Sequence, residues 1–193
     1  MKSNKGFTLA ELVIVLSLLG IVLTGIISFL GYSIDVFGDT RARTVVQDDV
    51  SNALKLIASD IRSASKPDLT IRSIMVYKGS NASDRGDRID IYDYKDNKYS
   101  LVSYKYDDKV LYRGVKEADK LEDIIGNTGV DYSVFLKGII YPTESDLFED
   151  ITTNPGSDRR TIRINLIAED KEGKINKPVV ITATYTSRSK GMP

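Results

Sequence analysis

Gly6-Phe7-Thr8-Leu9-Ala10-Glu11-Leu12-Val13-Ile14-Val15-Leu16, continuing uncharged to Ile34, is the stretch on which the reading of this chain turns. Glu11 is the only charged residue between Phe7 and Ile34. Residues 12–34 reach about 35 Å as a helix, enough for a hydrocarbon core of about 30 Å. Lys2 and Lys5 precede the segment, and Asp35, Asp39, Arg41 and Arg43 follow it. The short basic leader is therefore expected to stay cytoplasmic and the remainder to face outward. A cleaved secretory signal would limit its apolar region to about 7–15 residues and place the cleavage site after it. A plain membrane anchor fits the length but gives no reason for a carboxylate at Glu11, which costs about 2.5–3.5 kcal/mol or more deep in hydrocarbon.

The hexapeptide Gly6 to Glu11, behind a basic leader and ahead of an unbroken apolar tract, resembles the type IV prepilin motif Gly-Phe-Thr-Leu-x-Glu. The resemblance implies cleavage between Gly6 and Phe7 by a prepilin peptidase and N-methylation of the new Phe7 amine. Thr8 and Leu9 complete the recognition motif. It also gives Glu11 an assembly role: its carboxylate would meet the Phe7 α-amino group of a neighbouring subunit, so that each buried charge covers the other. The competing reading is that Glu11 snorkels to the interface on a passive anchor. Many pilins carry a proline in the membrane helix and this segment has none. Gly20, Gly25, Gly31 and Gly38 are read either as bending points or as sites of close helix packing.

Composition narrows the function classes. Lys plus Arg and Asp plus Glu are each 27 of 193 residues, so no basic excess argues for nucleic acid. Without residues 1–6 the balance is 25 basic to 27 acidic. The chain has neither Cys nor His. Disulfides, thiolate and imidazole ligation, Ser-His-Asp and Cys-His catalysis are thereby excluded. No phosphate-cradling glycine motif is present. No enzymatic activity, cofactor or metal is expected.

From Asp39 to about Ser65, Val46, Val50, Ala53, Leu54, Ile57, Ile61 and Ala64 recur at helical spacing. Arg41, Arg43, Asp48, Asp49, Lys55, Asp60 and Arg62 are read as the opposite, solvated face, and Pro67 as the stop. Seven β-type runs follow: 71–77, 88–94, 99–106, 110–115, 132–136, 161–168 and 179–186. Asp107-Asp108 is read as a hairpin turn, and Asn127 to Gly129 and Asn154 to Ser157 as loops. The expected fold is α+β and pilin-like, a long N-terminal helix whose second half packs on an antiparallel sheet. The division reads as leader 1–6, transmembrane and assembly half 7–34, amphipathic half 35–66, and β-rich head 67–193.

Ala58-Ser-Asp60-Ile61-Arg62-Ser-Ala64, Tyr104-Lys-Tyr106 and Leu111-Tyr-Arg113 together resemble the minor pilin W and pseudopilin J group. The implied function is a structural, minor subunit of a type IV pilus or related pseudopilus. The alternatives are a pseudopilin of a type II secretion or DNA-uptake system, or a filament-displayed adhesin or DNA-binding head. Implied partners are other pilins, the prepilin peptidase, membrane lipid before assembly, and indirectly the inner-membrane platform protein and assembly ATPase; nucleic acid is disfavoured. The implied location is the bacterial inner membrane, single-pass with the head outside, and then a cell-surface filament. Weaker patterns read as ordinary surface: Arg85-Gly86-Asp87, the acceptor-like Asn81-Ala-Ser83, the acidic set Asp84, Asp87, Asp90, Asp93 and Asp96, and the basic set Arg159, Arg160, Arg163, Arg188 and Lys190. The eleven tyrosines read as half-buried packing.

Overall fold

The computed structural model describes residues 8–68, 71–78, 86–127, 129–154, 158–170 and 177–188. It divides into two compact units, 1–41 and 42–193, with helix α1 (Leu9–Ser63) running from the first into the second. In the first unit the apolar side chains are exposed: Leu12 to Val15, Ile21, Phe29 and Ile34 are all more than half accessible. By length and composition this helix can cross a membrane. Three of its hydroxyls are already satisfied, since Ser17, Thr24 and Ser33 each donate to the carbonyl four residues back at 2.8 Å. A segment in hydrocarbon has no water to offer such groups, and this back-bonding leaves none of these three hydroxyls without an acceptor. A side chain placed at Gly20, Gly25, Gly31 or Gly38 would meet nothing within 4 Å. Within this chain none of the four is a packing contact.

In the second unit α1 buries Val50, Ala53, Leu54, Ile57, Ala58 and Ile61, with Val46 packed at the margin. That is the stripe expected from the spacing, one residue wider at Ala58. The helix stops at Ser63, where Ala64 N–H still bonds Asp60 C=O. Ser65 then turns to the sheet: its N–H donates to Tyr92 C=O at 2.9 Å, and its hydroxyl donates to Asp93 at 2.7 Å.

Two antiparallel sheets close the core, where one was expected. The first is β1 (Ile74–Lys78), β2 (Gly86–Lys95), β3 (Lys98–Asp107), β4 (Val110–Ala118) and β5 (Tyr132–Lys137), in that order. The second centres on β8 (Thr161–Ala168). It pairs with β6 (Ile139–Ile140) and β7 (Phe148–Asp150) on one side and with β9 (Val179–Thr186) on the other. All seven expected runs are strands, 161–168 and 179–186 with the bounds read and the other five with shifted ends; β6, β7 and two short 3-10 turns at 121–123 and 125–127 were not foreseen. Strands of two or three residues carry too little alternation to register as a period. The chain passes from one sheet to the other at Gly138, whose φ of 77° and C=O bond to Glu169 N–H leave no room for a Cβ.

The β3–β4 turn falls one residue later than read, at Asp108-Lys109, both at positive φ (41° and 63°). A second such turn, Asp96-Asn97 at 52° and 64°, joins β2 to β3. Positive φ at both central positions is what the twist of a two-residue hairpin requires, and Asp and Asn tolerate it best after Gly.

Ile74, Ile89, Ile91, Tyr104, Leu111, Leu136, Phe148, Ile162, Ile164 and Leu166 meet the helix stripe in one core. On the other face of the first sheet a smaller cluster of Tyr92, Leu101 and Ile124 is roofed by the segment between β4 and β5. Gly114 makes that roof possible, because a Cβ there would collide with Val130 and Tyr132.

Candidate functional site

The N-terminal site is built by the first turn of α1. Thr8 lies just before Leu9 and is the N-cap; Glu11 is the third helical residue. The Thr8 N–H and hydroxyl both donate to Glu11 Oε2 at 3.0 Å, while Glu11 N–H donates to Thr8 Oγ1 at 3.3 Å. Leu12 N–H opens the helical ladder to Thr8 C=O at 3.2 Å. This is a capping box, in which orphan amides at the helix start are satisfied reciprocally by the two side chains. A carboxylate there also faces the positive end of the helix dipole. Sequence reasoning assigned Glu11 only to pairing between subunits and Thr8 only to recognition. The signal that was missed is Thr-x-x-Glu itself, the capping spacing directly before an apolar run. Leu9 is 80% exposed. Gly6 and Phe7, the expected cleavage and methylation positions, lie outside the described residues, as do Asn81 to Ser83, Asp84, Arg85, Pro155 to Ser157 and Lys190.

A second polar centre ties the helix end to the first sheet. Tyr104 Oη donates to Asp60 Oδ2 at 2.6 Å, Arg113 Nη2 donates to the same oxygen at 3.1 Å, and Arg113 Nε bonds Tyr104 Oη at 3.0 Å. Asp60 had been placed on the solvated face of the helix; it is a half-buried anchor instead. Spacing alone puts it beside the stripe, and only the sheet decides that a cation and a phenol meet it there. Burial, and then the Asp60 hydrogen bond, push the Tyr104 phenol well above its ordinary value, so it remains a donor. Asp60, Tyr104 and Arg113 come from three segments of the chain, the first far from the other two.

The acidic set is likewise not all surface. Asp90 is fully buried on the roofed face of β2, where Oδ1 accepts from Ser103 Oγ at 2.5 Å and faces Arg88 Nε at 3.4 Å. Its Oδ2 has no hydrogen-bond partner among the described residues. The Arg88 guanidinium lies 3.9 Å from the Tyr77 ring. Burial raises the Asp90 carboxyl above its ordinary value, opposed by Ser103 and Arg88. A raised folded-state value means that stability is complete below the unfolded value of about 3.9 and is lost as pH climbs through the folded value. Asp90→Asn is expected to abolish that loss. In urea unfolding of the detergent-solubilised chain, the wild-type midpoint relative to the variant should fall as pH is raised above about 4, and a constant difference would sink the assignment.

Asp93 lies on the opposite face of β2, bonded to Ser65, so the two carboxylates do not converge. No metal-competent cluster of acidic residues occurs among the described residues. The basic set is partly neutralised: Arg160 lies 3.5 Å from Asp150 and Arg163 lies 3.1 Å from Glu149. A groove of about 440 Å³ runs between α1 and β5, lined by Asp49, Asn52, Ala53, Leu56 and residues 134–137. Its ionisable lining, Asp49 and Lys137, does not form a nucleophile and base pair.

Residues 1–27 match the family model described as the prokaryotic N-terminal methylation motif. No curated protein matches the chain. Proteins with this motif are typically non-enzymatic structural subunits; the motif implies processing by prepilin peptidase and assembly with pilins, through the membrane and then a pilus. With a type IV prepilin-like N-terminus on a long apolar helix, and antiparallel sheets packed on the second unit's part of that helix, the chain is a type IV pilin- or pseudopilin-like protein.

Proposed function

We propose that this chain is a minor subunit of a type IV pilus or pseudopilus, of the W or J kind, cleaved between Gly6 and Phe7, methylated at Phe7, and packed through residues 7–34 with Glu11 paired to a neighbour's Phe7 amine. The observation that carries the reading is the lone carboxylate at the head of an uncharged apolar helix whose large side chains lie exposed. Such a surface is left open only where lipid or other helices will cover it. The capping box supports the same reading. Before assembly Glu11 is held by Thr8, so the subunit is tolerable in the membrane without its partner. In a filament the stronger charge–charge contact takes over. The extended partners are the other pilins, the platform protein and the assembly ATPase.

Mass spectrometry of sheared filaments and of the membrane fraction tests this. A chain beginning with methylated Phe7, present in filaments at trace levels relative to the most abundant pilin, is expected. A chain that retains Met1 and stays in the membrane would leave a plain anchored domain instead.

A further inference from the structure

Strand edges that could pair with another chain are normally blunted by shortness, charge, proline or a bulge. The other outer strands of this molecule follow that rule. β1 has five residues and a register shift at Tyr77/Lys78, β5 carries a bulge between its Leu136 and Val134 pairings, and β6 and β7 have two and three residues. β9 does not. Its eight residues Val179-Val-Ile-Thr-Ala-Thr-Tyr-Thr186 contain no charge and no proline, and they pair with β8 in unbroken register. No strand among the described residues pairs with its outer side.

The hydrogen-bond phase shows which amides are free. Ser187 N–H bonds Arg160 C=O, which makes 160 and 187 a hydrogen-bonded pair; alternation then assigns inward bonds to residues 179, 181, 183 and 185. The N–H and C=O groups of Val180, Thr182, Thr184 and Thr186 point away from β8. Val180 is 66% exposed. Lys177 and Arg188, both exposed, bracket the strand.

We infer that the outer edge of β9 is a strand-addition site for an extended segment of a neighbouring filament subunit, about eight residues long, uncharged along its length and acidic at its ends. The inference rests on the filament-subunit reading. The flanking charges choose the occupant. A second copy's β9 paired antiparallel over the full eight residues would set Lys177 against Arg188 at both ends, and like charges directly opposed are unfavourable. Acidic ends on the incoming strand convert both repulsions into attractions.

The test uses the full chain in cells that make filaments. Thr184→Pro removes one outward amide and no β8–β9 hydrogen bond; Val180→Lys places a charge on the open edge. Both variants are expected to reach the membrane at wild-type levels with an unchanged unfolding midpoint, and to fall at least about fivefold in sheared filaments. Should proline lower the midpoint, Val180→Lys alone decides. A photocrosslinker on Thr184→Cys, in a chain with no other thiol, should conjugate to an acid-flanked segment of another subunit. Wild-type incorporation of both variants, or of Val180→Lys where the proline variant is destabilised, or a conjugate to β9 of a second copy, overturns the inference while leaving the filament reading intact. Absence of the wild-type chain from filaments overturns both.

Discussion

Asp60→Ala is expected to destabilise the second unit by about 3 kcal/mol, lowering its unfolding midpoint by about 9 °C at the roughly 3 °C per kcal/mol of a unit this size. The change removes one oxygen that three donor atoms share, Tyr104 Oη and Arg113 Nη2 and Nε. The side chains of Arg113 and Asp60 are 25% and 15% accessible, so solvent screens the pair only in part. What remains after truncation is a cation and a phenol held against each other, each short of an acceptor in a site water reaches poorly. Asp60→Asn keeps an oxygen and should cost distinctly less. Thermal unfolding of the detergent-solubilised chain measures both. If Asp60→Ala falls within about 0.5 kcal/mol of wild type, the site is an ordinary surface pair and not an anchor.

Glu11→Leu is expected to leave insertion and processing intact and to cut the chain's content in filaments by about tenfold or more, equivalent to at least about 1.4 kcal/mol lost per subunit contact. Removing a carboxylate makes the segment cheaper to place in lipid, so a defect in membrane level is not the expected result. The loss appears on assembly, where a neighbour's Phe7 ammonium would be left without its counter-charge. Glu11→Gln separates the two roles of the side chain. It retains an oxygen for the Thr8 N–H and hydroxyl but no charge, so restored assembly in Gln would show that the helix cap is what the filament requires. Filament content normalised to membrane content is the readout. Wild-type incorporation of Glu11→Leu would remove charge pairing from the account.

Much of this was legible because it is periodic or local. The helix stripe from Val50 to Ile61 announces its buried face through steps of three and four, since a helix returns to the same side every 3.6 residues. Seven strands were visible because their side chains alternate. The capping box at Thr8 and Glu11 was equally local, and its spacing was present to be read. Asp60 and Asp90 were misread as solvated for one reason: an acidic residue at a given period looks the same whether water or an arginine will stand opposite it. Asp60 meets Tyr104 and Arg113 from 44 and 53 residues away, and Asp90 meets Ser103 across a strand pair.

By itself the sequence determined the apolar N-terminal helix, its lone carboxylate, the amphipathic continuation, and the β character of the remainder. Each of these is set by residue chemistry acting over a few turns or a few strand residues. Only the tertiary structure decided that the strands form two sheets joined at Gly138, that three distant segments lock at Asp60, that Asp90 is enclosed, and that β9 is left as an open edge. These depend on which strand lies beside which. Pairing of that kind is chosen by the total burial of the core and by loop closure over long separations, quantities that no local window contains.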